Sequence, residues 1–473
     1  MIKHLQNSLR ALFLSLLVLL SLSMMAVEVE IDGINYELVT KLKSATVIRG
    51  SYSGNIIIPE SVTYKGTTCS VTSIDGGAFD ECTSLKSVTL PSTLTTIEGS
   101  AFYKCTSLTS IEIPEGVTYI GQSAFSGCKA LARATLPSTL TTIDFCLFWD
   151  CTSLTSITIP EGVAEIGGEA FGYCESLRSI TLPSTLTKIG KETFFYCTAL
   201  ESVTIPEGAT EIGWGAFKYC TALKSVTLPS SLTKIDSYAF EYCTGLTAVY
   251  TPDLAAWCKI NFEYSGNPLI YAHHLYLNNE KIQDLVIPEG VTSIGDHAFE
   301  GGSFTSVTFH EGVTGIGDFA FSDCTSLTSI VIPEGVTKIC GSTFSDCTSL
   351  TSIVIPKGVT EIGWWAFKSC SELLDVYCHA EKAPSTIRDS FEDSYIEYAT
   401  LHVPAASIED YKAEEPWSKF GNIVALTDKE TGIGEVKQEG RDVKSSVYDL
   451  FGRPVQKAQK GIHIQNGKKV FVK

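Results

Sequence analysis

Cysteine is the residue whose spacing most directly raises a question of chemistry in this 473-residue chain. Eleven of the sixteen cysteines recur every 23 residues in two series, Cys82, Cys105, Cys128, Cys151, Cys174, Cys197, Cys220 and Cys243, then Cys324, Cys347 and Cys370. Such thiols could form disulfides, bind a metal ion or fill a hydrophobic core. Parallel strands stacked ~4.8 Å apart would keep neighbouring Cβ atoms beyond the ~3.8 Å usual in a disulfide. We therefore expect buried free thiols, with disulfides and metal binding as the alternatives.

Other catalytic groups are sparse in the sequence. His273 and His274 are the only adjacent histidines, and neighbouring residues of a strand point to opposite faces, so they cannot easily bind one metal ion. The sequence lacks zinc-site spacings and the HExxH, GxSxG and phosphate-loop motifs. We predict no catalytic, metal-binding or cofactor-binding residues and no cofactor, and hence no enzyme.

The cysteines belong to a longer repeat. In the copy that runs from Leu108 to Cys128, the pattern Leu-x-x-Ile-x-Ile alternates with period two, as a strand does. Pro114 and Gly116 fit a turn, a second extended piece ends at Gly121, and Ala-Phe-x-x-Cys is expected to form a short helical turn. The phenylalanine of this unit occurs twelve times, at Phe79, Phe102, Phe125, Phe148, Phe171, Phe194, Phe217, Phe240, Phe299, Phe321, Phe344 and Phe367.

This period predicts the fold. A repeat of about 20–29 residues with leucine and isoleucine at fixed positions is typical of a leucine-rich repeat solenoid. We predict about 12 repeats of 23 residues, with stacked parallel strands, short helical turns, caps at both ends and a small C-terminal β unit. The turns alternate between Pro-Glu-Gly and Pro-Ser-Thr, so the sequence period of the first repeats is a 46-residue pair.

Three motifs recur from Val71 to Cys370, namely Cys-Thr-Ser-Leu-Thr-Ser-Ile, Ile-Pro-Glu-Gly-Val-Thr-x-Ile-Gly and Ala-Phe. On these motifs the chain resembles the BspA-like leucine-rich repeat family of bacterial surface proteins. The resemblance implies an adhesion or protein-recognition module that binds host matrix, host cells or other bacteria, without one shared ligand and without catalytic residues. The alternative is a structural surface-layer scaffold that has no specific ligand.

Two groups of residues are candidates for contact with a partner protein. Glu115, Glu161 and Glu207 recur every 46 residues and would form an acidic row with ~10 Å between neighbours, which is two strand spacings. Trp257, Tyr264 and Tyr271 lie in an aromatic-rich insert that interrupts the repeats. The alternatives are a solvated turn for the glutamates and a variant repeat that joins two blocks for the insert.

Charge and the two ends of the chain indicate where it acts. A formal charge of −18 argues against a nucleic-acid ligand, which needs a basic face. Lys3 and Arg10 precede the apolar run 11–22, which is too short to cross a bilayer and predicts a signal peptide. The basic C-terminal end contains Tyr-Asp-Leu-x-Gly-Arg, from Tyr448 to Arg453, and resembles a sorting domain of the Bacteroidota type IX secretion pathway. We expect a secreted or outer-surface protein with a protein ligand and no transmembrane segment, and the sequence leaves its oligomeric state open.

The predicted organisation follows from these patterns. It is, in order, a signal peptide at 1–26, an N-terminal cap at 27–70, repeats at 71–245, the insert at 246–285, repeats at 286–370, a C-terminal cap at 371–427, a linker at 428–445 and the sorting-like β unit at 446–473.

Overall fold

The computed structural model describes residues 26–387 and 389–427, together with the backbone of four C-terminal strands, Val447–Tyr448, Pro454–Val455, Gly461–Gln465 and Lys468–Val472. The predicted signal peptide up to residue 25 and the predicted linker lie outside the described residues. The chain consists of two compact units, which we treat separately. The first unit comprises residues up to Val226 and Tyr238–Leu246, and the second comprises Thr227–Ser237 and the chain from Thr247 onwards.

Each unit is a β-solenoid of the leucine-rich repeat type. A repeat contributes a first strand of about three residues, such as Ser156–Thr158, and a second strand of two residues, such as Glu165–Ile166. Each of these two strands pairs in parallel with its counterpart in the following repeat, and Ile157 lies opposite Ile180. The register therefore equals the 23-residue sequence period, which confirms the predicted fold class.

The strands of the first unit fall into three sets. The strands that precede the regular repeats are Val27–Ile31, Ile34–Val39, Ser44–Val47, Gly54–Ile57, Ser61–Tyr64 and Thr67–Ile74. The first strands are Leu85–Thr89, Ser110–Glu112, Arg133–Thr135, Ser156–Thr158, Ser179–Thr181 and Ser202–Thr204, and Ser225–Thr227 lies where the two units divide. The second strands are Thr96–Ile97, Tyr119–Ile120, Thr142–Ile143, Glu165–Ile166, Lys188–Ile189 and Glu211–Ile212.

The second unit has the same two sets of strands and contains the helices. Its first strands are Ala248–Thr251, Leu275–Leu277, Asp284–Val286, Ser306–Thr308, Ser329–Val331, Ser352–Ile355, Asp375–Cys378, Thr400–Val403 and Asn422–Ala425. Its second strands are Lys234–Ile235, Asn261–Phe262, Ser293–Ile294, Gly315–Ile316, Lys338–Ile339, Glu361–Ile362 and Ser385–Thr386, and Glu280–Lys281 completes a hairpin. The α-helices are α1 (Leu254–Trp257), α2 (Leu269–Ala272) and α3 (Ile408–Ala413), and the 3-10 helices are Ile396–Tyr398, Ala405–Ser407 and Trp417–Lys419.

A column of stacked phenylalanines forms the centre of the core. In the first unit the rings from Phe79 to Phe240 follow one another with centroids 4.7–5.6 Å apart. In the second unit the column runs from Phe299 to Phe367 and continues onto Phe391 of the C-terminal cap. Tyr52, which precedes the regular repeats, packs against Phe79 with a centroid distance of 4.5 Å, but its ring is tilted by 41°. Aromatic residues of the two predicted caps therefore extend the core beyond the regular repeats.

The cysteine series lies beside this column. The thiol of Cys105 donates to the carbonyl oxygen of Phe79 at 3.2 Å, and ten of the eleven series thiols donate to a phenylalanine carbonyl in this way, at 3.1–3.3 Å. All sixteen cysteines are free, and every one except Cys340 is buried. Burial raises the pKa of the Cys151 thiol well above its ordinary value. These contacts agree with the expectation that the series fills the core as protonated thiols.

The third side of each repeat differs from the predicted short helical turn, because it is a series of β-turns. The N–H of Tyr103 donates to Ser100 within its own repeat, whereas the N–H of Phe102 donates to Ala124 of the next repeat. Ser100 and Lys104 have φ values of 58° and 54°, in the left-handed region. An α-helix cannot form, because alternate N–H groups point to the neighbouring repeat and these left-handed residues interrupt the helical path.

Hairpin turns and a helix cap shape the N-terminal strands, the insert and the tail. Asp32-Gly33 and Asn278-Asn279 both have two positive φ values, as type I′ hairpin turns require. Helix α1 is capped by Asp253, whose carboxylate accepts from two backbone N–H groups. In the tail, Gly461–Gln465 pairs antiparallel with Lys468–Val472, as expected of a small C-terminal β unit, and the two residues between them lie outside the described part of the chain.

The insert is itself a variant turn of the solenoid. Within the second unit, Val249–Thr251 pairs in parallel with Leu275–Leu277, and Lys234–Ile235 pairs with Asn261–Phe262. Both strand rows therefore continue through the segment in which the cysteine spacing fails. None of the helices in the described residues is long and apolar enough to cross a membrane.

Candidate interaction surfaces

The glutamates of the predicted acidic row are bonded to the following repeat. The carboxylate of Glu115 accepts from the N–H and the hydroxyl of Ser138, at 2.9 and 2.7 Å. Glu161 accepts from the same two groups of Ser184, at 3.1 and 2.9 Å. Each Pro-Glu-Gly turn is thereby bonded to the Pro-Ser-Thr turn after it. The alternation of the two turn types is thus a matched pair of hydrogen-bonding partners.

These hydrogen bonds also favour the charged form of Glu115 and Glu161. The hydroxyl of Ser138, and next its backbone N–H, lower the pKa of Glu115. For Glu161 the backbone N–H of Ser184 is the largest cause of the lowered pKa. Glu207 occupies the same exposed turn position two repeats further on. All three glutamates of the row are exposed, and the lowered pKa values keep Glu115 and Glu161 ionised while both join neighbouring repeats.

The first strands show the same 46-residue period. Strand Arg133–Thr135 pairs with Ser110–Glu112 before it, but in the described structure it forms no ladder with Ser156–Thr158 after it. The backbone hydrogen bond that begins each first strand joins it to the preceding repeat. Its N···O distance is 2.9 Å within a pair of repeats, where Ala132 and Arg178 are the donors. Between pairs the distance is 3.3 Å for the donor Thr109 and 3.5 Å for the donor Thr155. The second strands from Thr142–Ile143 to Glu211–Ile212 pair without a break. The first-strand surface is thus divided into two-repeat blocks.

One such block boundary contains a cavity of about 370 Å³. Arg133 and Thr135 line one wall, and Ser156 and Thr158 line the other. Ala134 lies at its floor, at the position that isoleucine takes in the neighbouring repeats. A guanidinium and three hydroxyls can hydrogen-bond a ligand, but the lining residues contain no general base that could activate a hydroxyl as a nucleophile.

The insert does not bring its three candidate aromatic residues to one surface. Trp257 is fully buried, and its indole N–H donates to the carbonyl of Ala298 at 2.7 Å. Tyr264 is 63% exposed, and Tyr271 is half-buried. The structure therefore removes Trp257 from the candidate partner contacts, because its ring is part of the core. Tyr264 and Tyr271 remain candidates.

Sequence reasoning missed a row of tyrosines on the third side of the first unit. Tyr173, Tyr196, Tyr219 and Tyr242 each precede a cysteine of the series, and their ring centroids lie 5.2, 5.3 and 4.7 Å apart in turn. We call this row the tyrosine ladder. The signal was present in the sequence as an aromatic residue at a 23-residue interval, in a position where other repeats have Glu81, Lys104, Gly127 or Asp150.

Metal-binding geometry is absent from the part of the chain that the structure describes, where no group of three or more His, Cys, Asp or Glu residues is placed to hold an ion. The two adjacent histidines have separate partners. Nδ1 of His273 lies 2.8 Å from the carbonyl oxygen of Gly301, and Nδ1 of His274 lies 2.7 Å from the hydroxyl of Ser303.

Comparison with known proteins identifies one family. The family described as BspA type Leucine rich repeat region (6 copies) matches residues 55–177, 146–265 and 272–402. Among solved structures, a leucine-rich cell surface protein from Faecalibacterium prausnitzii is 27% identical over 86% of this chain and 96% of its own, with a TM-score of 0.43. A leucine-rich repeat protein from Bacteroides ovatus is 25% identical over 74% and 94%, with a TM-score of 0.41. Pneumococcal vaccine antigen PcpA is 18% identical over 85% and 99%, with a TM-score of 0.39. No curated protein matches the chain.

Proposed function

The chain belongs to the BspA-type leucine-rich repeat family, and on that premise we propose that it is an exported cell-surface protein whose solenoid recognises another protein. The observation that carries the proposal is the outward side of the first strands. Ile157 points into the core, while Ser156 and Thr158 are exposed, and the same arrangement recurs in the next repeat at Ser179 and Thr181. From Ser156 to Thr181 these outward positions form a surface of short uncharged side chains, and solenoids use extended outer surfaces for binding.

Export forms part of the same proposal. The signal peptide proposed at 1–26 would take the chain across the inner membrane, and the unit at 446–473, which resembles a sorting domain, would direct it to the cell surface. The predicted linker at 428–445 and the excess of basic residues after Arg441 favour a separate role for that unit. An extracellular location fits a ligand that is a matrix protein, a host-cell protein or a protein of another bacterium.

Three surfaces of the solenoid can be compared as binding sites. The acidic row is exposed at Glu115, Glu161 and Glu207, and the insert exposes Tyr264. The first-strand surface is the third. Because Glu115 is bonded to Ser138 through one carboxylate oxygen, its other oxygen has no hydrogen bond within the described protein and can face a partner.

Adherence of cells to immobilised matrix proteins tests the proposal. Cells that produce the full chain should adhere to at least one purified matrix protein more strongly than cells from which the gene has been deleted. Glu115→Gln, Glu161→Gln and Glu207→Gln in one variant would test the acidic row, because glutamine keeps the size of the side chain and removes its charge. Tyr264→Ser with Tyr271→Ser would test the insert.

The outcomes separate the alternatives. Loss of adherence in one variant assigns the contact to that surface, and retention in both assigns it to another surface. Equal adherence with and without the chain, together with regular self-assembly of the purified protein, would reject recognition in favour of a structural surface layer.

A further inference from the structure

The tyrosine ladder adopts a backbone conformation that tyrosine does not favour. Tyr173, Tyr196, Tyr219 and Tyr242 have φ values of 57°, 61°, 65° and 61°. This is the left-handed region, where a bulky residue is an outlier and where strain often accompanies a ligand site. The repeat itself imposes this conformation, because Glu81, Lys104, Gly127 and Asp150 at the same position also have φ values of 54–74°. The fold therefore does not require tyrosine here.

Neighbouring aromatic rings fix the ladder in place. Phe195 meets Tyr173 and Tyr219 edge-on, at centroid distances of 5.3 and 5.8 Å, and Trp149 meets Tyr173 edge-on at 4.8 Å. Gly172 leaves the space that Trp149 occupies, because a Cβ atom there would lie 2.2 Å from the indole ring. The rings are thus packed against one another before any partner binds, and a preorganised surface loses little entropy on binding.

The ladder is accessible and has little net charge. Tyr196 is 37% exposed and Tyr242 is 45% exposed. The ammonium of Lys218 lies 5.6 and 5.9 Å from the ring centroids of Tyr219 and Tyr242, and it forms an ion pair with Glu241 at 2.5 Å. Although the chain has a charge of −18, the tyrosine ladder is a surface of aromatic rings, and the cation beside it, Lys218, is already paired. The centres of protein–protein interfaces have this composition, with few unpaired charges and many tyrosines.

The hydroxyls of the ladder indicate the conformation of the partner. None of the four phenol groups makes a hydrogen bond within the described protein, so the ladder presents a row of free donors. Successive ring centroids lie 4.7–5.3 Å apart. The distance from one tyrosine to the second one after it is therefore close to the length of one polyproline II turn, ~9 Å for three residues. A polyproline II segment has no internal hydrogen bonds, and all its carbonyl oxygens can therefore accept. Its proline rings also pack well on aromatic side chains.

We propose that the tyrosine ladder is the docking surface for a proline-rich segment, in the polyproline II conformation, of a protein partner. The inference rests on the proposed function, because it specifies where and how a protein is recognised. The proline rings pack between the exposed edges of the tyrosines, and the phenol hydroxyls donate to the carbonyl oxygens of the segment.

Calorimetric titration of the full mature chain with a short all-proline peptide tests the inference, and a glycine-serine peptide of equal length is the control ligand. The ladder variant is Tyr196→Asn with Tyr242→Asn, since asparagine tolerates the left-handed conformation and adds no charge. The matched control variant is Tyr119→Thr, which removes a tyrosine that is 45% exposed on a second strand. Thr96 and Thr142 occupy the same position in the adjacent repeats, so threonine fits there. Circular dichroism melting should show that both variants remain folded.

The inference predicts that the all-proline peptide binds the unchanged chain and the Tyr119→Thr variant equally, and that its affinity falls at least tenfold in the ladder variant. The Tyr196→Phe, Tyr242→Phe variant should bind the peptide with an affinity between that of the unchanged chain and that of the ladder variant, because it removes the hydroxyls and keeps the rings. Absence of peptide binding to the unchanged chain, or equal binding to the ladder variant, would overturn the inference.

Cell adherence distinguishes failure of the polyproline II inference from failure of the proposed function. If adherence to a matrix protein depends on the ladder but the all-proline peptide does not bind, the polyproline II partner is wrong and protein recognition stands. If adherence is unaffected by the ladder variant, the ladder is wrong and recognition again stands. Ladder-dependent binding of a linear oligosaccharide in place of the peptide would also overturn the inference. Absence of adherence to every protein would count against the proposed function itself.

Discussion

At the scale of the residue, one side chain can serve both the repeat and its surface. Glu115 is exposed to solvent, yet its carboxylate accepts two hydrogen bonds from Ser138 of the next repeat. The series cysteines are the opposite case, because they are inside the protein and their thiols donate to the carbonyl groups of core phenylalanines. Neither residue type needs catalysis to explain its regular spacing.

The buried thiols predict a slow reaction with thiol reagents. A titration of the native protein should find few reactive groups, because burial both blocks access and raises the pKa of thiols such as Cys151 and Cys347. The same protein denatured without reductant should reveal about sixteen thiols, the number in the sequence. Clearly fewer thiols after denaturation would mean that disulfides are present.

At the scale of the element, the two-repeat block is the feature that the sequence only partly predicts. The alternation of Pro-Glu-Gly and Pro-Ser-Thr is visible in the sequence, but the hydrogen bonds that join one turn to the next appear only in three dimensions. Gly116 shows the reason, since a Cβ atom at this residue would lie 2.9 Å from the carbonyl oxygen of Leu94 in the preceding repeat. The sequence shows a turn glycine, whereas its closest neighbour lies 22 residues away.

Hydrogen exchange should detect the blocks. The N–H of Ile113 donates to Thr135, and that of Ile159 donates to Thr181, within a block. Leu136 and Leu182 occupy the same position at block boundaries, where the described structure gives their N–H groups no partner. We expect the Leu136 and Leu182 amides to exchange faster than the Ile113 and Ile159 amides, as resolved by mass spectrometry or NMR. Equal rates at the four positions would contradict the block structure.

The phenylalanine column predicts a local effect of mutation. Phe171→Ala should destabilise the protein by ~3–5 kcal/mol, because it empties a large core site between Phe148 and Phe194. Hydrogen exchange should accelerate first around these two neighbours, because each repeat contacts mainly the next.

A matched control is available in Phe145, which is 44% exposed. Phe145→Ala should change stability by no more than ~0.5 kcal/mol, the usual range for a surface position. If Phe171→Ala accelerated exchange as strongly at Phe79 as at Phe148, the column would not act locally.

The sequence predicts the period and the core well, because these depend on local pattern and on a register equal to the repeat. It predicts the surface less well. Trp257 is aromatic and lies in an insert, which suggests a partner contact, but its indole is enclosed and bonded to Ala298. Tyr196 is exposed, but the sequence does not single it out, because the regular spacing of the adjacent cysteines is the stronger pattern. Exposure depends on which turns stack on one another, and a single repeat does not reveal that.

At the scale of the whole molecule, delivery and recognition are proposed for different parts of the chain. Deletion of residues 446–473 should leave a folded solenoid in the periplasm, because the cap that ends near Leu426 is retained. Cell fractionation and protease accessibility of truncated and full-length chains would measure this. Equal surface exposure of the two chains would reject the sorting role, and degradation of the truncated chain would show that the tail is a structural cap.

The central claim is that the folded exterior of the solenoid recognises another protein, and a binding isotherm tests it most directly. The purified mature chain should be titrated against each of a set of purified matrix proteins, with a heat-unfolded sample of the same chain as the control. The account predicts saturable binding to at least one protein, with a Kd of ~1 μM or tighter, about −8 kcal/mol, and no saturable binding by the unfolded control. Weak and unsaturable binding to every protein, with folded and unfolded chain alike, would contradict it.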